Sequence, residues 1–211
     1  MTAAPAILQR AAAPPLILAS ASASRARLLR AAGVTFEQRA AAIDEEAIRA
    51  ALQAENASPL DAATALAELK AERVAQHAPP EAIVLGADQI LACEGRWFGK
   101  PDSSAEARAQ LAELAGRRHE LATAVVGCRG GARIWHAATL VRLWLRPCSP
   151  AFLDRYLAAV GEQALGSVGA YQIEGPGAQL FARVEGDHFA IQGLPLLEVL
   201  DFLRAQGVLE S

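Results

Sequence analysis

From residue 16 onward, apolar runs alternate with short breaks of serine, proline and glycine. Leu16-Ile17-Leu18-Ala19 is continuously apolar and predicts a short buried strand. It gives way to Ser20-Ala21-Ser22-Ala23-Ser24. Residues 25–32 then carry Leu28 and Leu29 on one helical face and end at Gly33. Residues 34–39 predict a second strand. Ser58-Pro59 is a helix start, a capping hydroxyl followed by proline at the first helical position. Leu60, Leu66, Leu69 and Val74 extend an apolar stripe to about His77, where Pro79-Pro80 breaks it.

The second half follows the same logic. Residues 82–87 predict a fully buried strand with Asp88-Gln89 at its end, and residues 90–92 continue extended to a turn at Glu94-Gly95-Arg96. Ser103 and Ser104 cap a helix running to Leu114. Residues 121–128 and 132–145 form a β-hairpin across Gly130-Gly131. Ser149-Pro150 opens another helix, a glycine-rich loop spans residues 161–177, and a strand covers about residues 179–184. Pro195 opens a last helix that ends at Gly207. Interleaved strands and helices predict a mixed-sheet α/β protein. Residues 1–15, rich in alanine and proline, read as a flexible tail, and residues 16–211 as one domain.

Composition narrows the class. The 211 residues are 53% hydrophobic and 20% charged, with a net charge of −3, which offers no overall attraction to nucleic acid or an anionic membrane. No apolar run approaches the roughly 20 residues of a spanning helix. Three scattered cysteines, without a CxxC pair, predict reduced thiols and a cytoplasmic protein. Of 20 basic residues, 18 are arginine, and the chain holds 49 alanines, a codon habit that turns interchangeable surface lysines into arginine. The two remaining lysines, Lys70 and Lys100, are thus candidates for positions that want a compact ammonium.

Four segments carry candidate chemistry. Ser20 to Arg25 lies between a strand and a helix start, where unpaired N–H groups and the positive dipole end favour a phosphate; Ser20 and Ser22 let the backbone approach, and Arg25 supplies a fork of donors. An ordinary serine cap is the alternative for that segment alone. Asp88, beside an apolar strand, needs a partner, a metal or a catalytic job unless it merely initiates a turn. Phe98-Gly99-Lys100-Pro101 is a sharp loop bearing one of the two lysines. Residues 169–177 set Glu174 among glycines and Tyr171, as a plain surface loop or as the wall of a ligand pocket.

Taken in order, these segments resemble the Maf family of nucleoside triphosphate pyrophosphatases. Leu18-Ala19-Ser20-Ala21-Ser22-Ala23-Ser24-Arg25 with Leu28-Leu29 is similar to that family's LASxSPxR…LL motif, and Leu66-Ala67-Glu68-Leu69-Lys70-Ala71 to its LAxxKA helix. Gly86-Ala87-Asp88-Gln89, Gly99-Lys100-Pro101, Gly169-Ala170-Tyr171, Val184-Glu185-Gly186-Asp187 and Gly193-Leu194-Pro195-Leu196 follow in the family's order. The chain departs from the pattern at Ala23, where the family usually has proline, and at Ser24, where it has arginine or tryptophan.

The resemblance implies an α/β mixed sheet bent around a central cleft, in the style of the inosine-triphosphatase-like group. It implies hydrolysis of a nucleoside triphosphate to the monophosphate and pyrophosphate with a divalent metal, Mg²⁺ or Mn²⁺, and a homodimer by family habit. Asp88 matches the proton acceptor; Ser20, Ser22, Arg25, Lys70 and Lys100 would meet the triphosphate; Asp88 and Glu45 would hold the metal. Ser24, Gln89 and Glu174 fall on the specificity positions. Glutamine and glutamate at the last two resemble the subfamily favouring 7-methyl-GTP, whereas a dTTP- and UTP-favouring subfamily has threonine and glutamine. A carboxylate accepts two N–H bonds from a guanine edge, so a guanine-like base is expected. The alternatives are a dTTP/UTP pyrophosphatase, a general modified-purine triphosphatase and a non-enzymatic nucleotide-binding regulator of cell division.

Overall fold

The computed structural model describes residues 8–210. Its frame is a seven-stranded mixed sheet in the order β2-β1-β3-β5-β6-β7, with β4 paired to β3 off that path. The strands are β1 (Leu16–Ala19), β2 (Glu37–Gln38), β3 (Ile83–Cys93), β4 (Arg96–Phe98), β5 (Arg118–Arg129), β6 (Ala132–Leu145) and β7 (Phe181–Glu185). Seven α-helices accompany them among the described residues: α1 (Ala23–Ala31), α2 (Glu45–Ala54), α3 (Pro59–Ala75), α4 (Ser104–Leu114), α5 (Pro150–Val160), α6 (His188–Ile191) and α7 (Leu196–Ala205). None is long and apolar enough to cross a membrane. The mixed α/β class expected from the alternating pattern is the one observed.

Alternation along β3 distributes the core. Val84 and Ile90 point to the face covered by α3, where they pack with Leu66, Ala67, Ala71, Ala122 and Ala124. Ile83, Leu85 and Ala87 point the other way, onto α1 and α7 through Leu28, Leu29, Val199 and Phe202. Farther along that second face, Leu91 and Cys93 meet α4, α5 and the 161–180 segment.

The register of α3 differs from the leucine stripe. Leu69 is 39% exposed, and the buried face is Ala62, Ala63, Leu66, Ala67, Lys70, Ala71 and Val74. Small side chains win that face because the helix lies close on the sheet. A Cβ at Gly86 would sit 2.1 Å from the Ala67 carbonyl oxygen and 2.6 Å from the Ala71 nitrogen, so only glycine permits the approach.

Other boundaries also move. The second strand shrinks to two residues, because Val34 and Phe36 turn into the core beside α1 instead of pairing with β1. Helix α2 was not visible as an apolar stripe, having no fully buried residue; Asp44 caps it by accepting from the Ala47 N–H. The glycine-rich stretch winds into three short 3₁₀ turns between residues 161 and 180. Of the expected tail, residues 1–7 lie outside the described residues. Residues 8–10 are tied to the other end of the chain: the Arg10 N–H donates to Val208 and the Glu210 N–H to Leu8.

Candidate active site

A gap along one edge of β3 makes the site. Strand β1 pairs with β3 only as far as Ala19 opposite Gly86, while β4 begins to pair at Leu91. Both lie on the same edge, since β5 occupies the other from Val84 to Ala92. Between them, residues 87–90 have no neighbouring strand on that edge. Asp88 therefore sits in the middle of a strand of eleven residues and not at its end, as the apolar run had suggested. The strand continues because β5 stays paired behind it. A cleft of about 630 Å³ opens over the gap.

All ten residues singled out in the sequence line this one cleft: Ser20, Ser22, Ser24, Arg25, Glu45, Lys70, Asp88, Gln89, Lys100 and Glu174. Ser22 caps α1 by accepting from the Arg25 N–H. The Arg25 side chain is buried and donates from Nε to the Gly193 carbonyl (2.8 Å), and from Nη1 to Ser20 Oγ (3.0 Å) and the Ala87 carbonyl (2.8 Å). Gly193, at φ +101°, is where the 193 loop comes up against this guanidinium; a Cβ there would lie 3.2 Å from Nε. Burial lowers the pKa of Arg25, opposed by the charges of Asp88 and Glu45. An arginine so placed remains a cation. No carboxylate forms an ion pair with it among the described residues, so only the more distant charges of Asp88 and Glu45 offset its own.

The close approach at Gly86 brings Lys70 down onto Asp88. Lys70 Nζ donates to Asp88 Oδ1 at 2.6 Å and to Glu45 Oε2 at 2.7 Å. The side chains of Lys70 and Asp88 are each 5% exposed, that of Glu45 43%. Two carboxylates share one ammonium, which leaves the cluster with a net negative charge. Asp88 Oδ2 is buried and has no hydrogen-bond partner among the described residues. The cleft wall as a whole holds six carboxylates (Glu45, Glu46, Asp88, Asp102, Glu106 and Glu174) against four cations (Arg25, Arg49, Lys70 and Lys100). Among the described residues no three His, Cys, Asp or Glu side chains gather as a ready-made metal site. An orphaned carboxylate oxygen within an excess of carboxylates nevertheless suits a divalent cation that brings some of its own ligands.

The other side chains divide between the two ends of the cleft. Lys100 stands at the exposed loop after β4; desolvation against the cleft wall and the nearby charge of Arg25 lower its pKa, while Glu45 and Asp88 act the other way. Gln89 faces the opposite side of the sheet from Asp88. Its Nε2 donates to Thr123 Oγ1 (2.8 Å) and the Ala190 carbonyl (2.8 Å), and Thr123 Oγ1 donates to the same carbonyl (3.0 Å). A carbonyl demands a donor, so this network fixes the amide with Oε1 turned away from it. Glu174 accepts from Arg27 through Oε1, leaving Oε2 without a donor among the described residues. Ser24 lies at the start of α1, half-buried on the cleft wall.

Sequence reasoning missed the supports behind these residues. Thr123, opposite Gln89 in the β3–β5 register, is invisible without the pairing. His119 and Tyr171, both buried, meet at 2.9 Å between Nε2 and the phenol oxygen, and hold the 169–174 loop. Burial pushes the His119 pKa down to about 4 and the Tyr171 phenol well up. Arg49 lines the cleft as well, one turn along α2 from Glu45. That i, i+4 spacing was the signal available for it.

Comparison with known proteins agrees over nearly the whole chain. Residues 15–206 match the family model described as Maf-like protein. A "Nucleoside triphosphate pyrophosphatase" of Rhodospirillum rubrum is 52% identical over 198 residues, 94% of this chain and 98% of that protein. Another of the same name from Granulibacter bethesdensis is 50% identical over 194 residues, 92% of this chain and 98% of that protein. A "7-methyl-GTP pyrophosphatase" of Rhizobium meliloti is 49% identical over 198 residues, 94% of this chain and 99% of that protein.

Proposed function

The chain belongs to the Maf family, and on that premise we propose that it is a nucleoside triphosphate pyrophosphatase, releasing pyrophosphate and a nucleoside monophosphate, with a preference for a guanine-like base such as that of 7-methyl-GTP. The observation that carries the reading is the Glu45–Lys70–Asp88 cluster at the open edge of β3, with Arg25 buried beside it.

Asp88 is the proton acceptor. Lys70 holds Oδ1, which fixes the carboxylate and leaves Oδ2 uncommitted among the described residues, so that it can accept a proton from an attacking water. Positioned base catalysis of this kind contributes about 10²–10⁴-fold. Arg25, held on three acceptors, offers a preorganised positive charge to the phosphates, and Lys100 adds a point charge at the cleft mouth. Asp88 and Glu45, whose Oε1 has no donor among the described residues, would hold Mg²⁺ or Mn²⁺ through carboxylate oxygens. When bound, such an ion neutralises phosphate charge and raises the acidity of water.

Base choice follows from the acceptor pattern. Gln89 spends its donors on Thr123 and Ala190, so only its carbonyl oxygen is left for a ligand, and Glu174 is acceptor-only. Guanine presents adjacent N1–H and N2–H donors, whereas uracil and thymine present a single N–H between two carbonyls. Two acceptors therefore match guanine and repel the pyrimidine carbonyls. Ser24 contributes no stacking face, which broadens the preference. Pyrophosphate release from GTP, 7-methyl-GTP, ITP, UTP and dTTP with Mg²⁺ or Mn²⁺ tests this, on the wild type and Glu174→Gln. Guanine substrates should lead, and the substitution should narrow their lead over UTP. An unchanged ranking would refute the base reading. Nucleotide binding without release would favour the regulator.

A further inference from the structure

We propose that Arg49 is a binding residue for the outer phosphates, which become the pyrophosphate leaving group, acting with Lys100 on the wall formed by α2 and the loop after β4. This inference rests on the pyrophosphatase reading and adds a residue to it.

Three observations converge on Arg49. Its Nε is buried and has no hydrogen-bond acceptor among the described residues. An N–H sealed from water without an acceptor is unfavourable, so a ligand oxygen is what the position lacks. It also stands alone as a charge: among the described residues no carboxylate comes within ion-pairing distance. Glu45, its neighbour one turn back, is committed to Lys70, and Glu106 across the cleft accepts from the Asp102 N–H and from Gln110. Finally, its guanidinium leans on the Gly99 backbone, where a Cβ would lie 3.6 Å from Nη1. That places a planar fork next to Lys100.

The order of charges along the cleft then acquires a direction. Gln89 and Glu174 hold the base end, Lys70 and Asp88 the reacting centre, and Arg49 with Lys100 the remaining wall. When the bond between the α- and β-phosphates breaks, the charge gained by the departing pyrophosphate falls among these two cations. A guanidinium takes two phosphate oxygens at once, which an ammonium cannot.

Arg49→Gln and Arg49→Lys test the assignment, with Arg108→Gln as a control of equal charge change on an exposed arginine paired to Asp154. Arg49 is only half-buried and has no ion-pair partner among the described residues, so both variants are expected to fold. Calorimetric binding of inorganic pyrophosphate and of GMP, with Mg²⁺ present, is the first readout. Arg49→Gln should weaken pyrophosphate about 10- to 100-fold and leave GMP within twofold; Arg49→Lys should fall between, and Arg108→Gln should match the wild type. In turnover, KM for the triphosphate should rise in parallel. Equal weakening of GMP and pyrophosphate, no weakening of either, or a wild type that binds no pyrophosphate would overturn the assignment. A wild type that binds pyrophosphate through Arg49 yet releases none from any nucleotide would sink the pyrophosphatase reading and leave this one standing.

Discussion

Gly86→Ala perturbs the joint between scaffold and chemistry. The new methyl would meet the Ala67 carbonyl at 2.1 Å and the Ala71 nitrogen at 2.6 Å, both backbone atoms of α3 that no rotamer change can move aside. Restoring ordinary contact requires the helix to retreat by about 1 Å, an overpacking that costs roughly 1–3 kcal/mol. Lys70 rides on the same helix. Its 2.6 Å bond to Asp88 cannot follow a retreat of that size without leaving hydrogen-bond range. A misplacement of about 1 Å at a reacting group costs on the order of 100-fold in rate. Urea unfolding should show the loss of stability, and steady-state pyrophosphate release should show kcat falling about 100-fold in the fraction that remains folded. If both midpoint and turnover stay at wild-type values, the account of how α3 delivers Lys70 is wrong.

Two further outcomes follow from buried charge. Lys70→Met strands Asp88 in the interior, a change worth about 3–5 kcal/mol of stability; adding Asp88→Asn should recover most of it in denaturant titrations without recovering activity, and a double variant no more stable than the single would refute the pairing. His119 titrates at about 4 when folded and near 6.5 when unfolded, so below pH 6.5 the unfolded chain takes up a proton that the folded chain refuses. Stability falls as the pH drops from 6.5 towards 4, by roughly 2–3 kcal/mol over that range. His119→Gln should flatten that part of the pH profile, and an unchanged slope would count against the burial of a neutral imidazole.

The elements that carry the cleft were legible where local chemistry decides them. Ser58-Pro59 and Ser149-Pro150 announced their helices, and Gly130-Gly131 its hairpin, because caps and turns are written in a few adjacent residues. Lys70 and Lys100 stood out from the arginine background and both line the cleft. What escaped depends on non-local packing. Nothing along residues 82–92 distinguishes a strand end from a strand that loses one neighbour, so the position of Asp88 needed the pairing of β1 and β4 with β3. The alanine face of α3 hides behind Leu69, since apolar periodicity weighs size while close packing selects smallness. The two carboxylate partners of Lys70, a candidate phosphate ligand by its sequence, are visible only in the fold, because the helix that bears it sits directly over Asp88. Thr123 and His119 join the site only in three dimensions, through the pairing of β3 with β5 and the contact with Tyr171.

Hydrolysis in ¹⁸O-enriched water tests the central claim most directly. If water attacks the α-phosphate with Asp88 as its base, the label appears in the nucleoside monophosphate and none in pyrophosphate. Asp88→Asn should then cut the labelling rate by about 10²–10⁴-fold while nucleotide binding persists. Label in pyrophosphate, release of orthophosphate as the first product, or full activity in Asp88→Asn would contradict it.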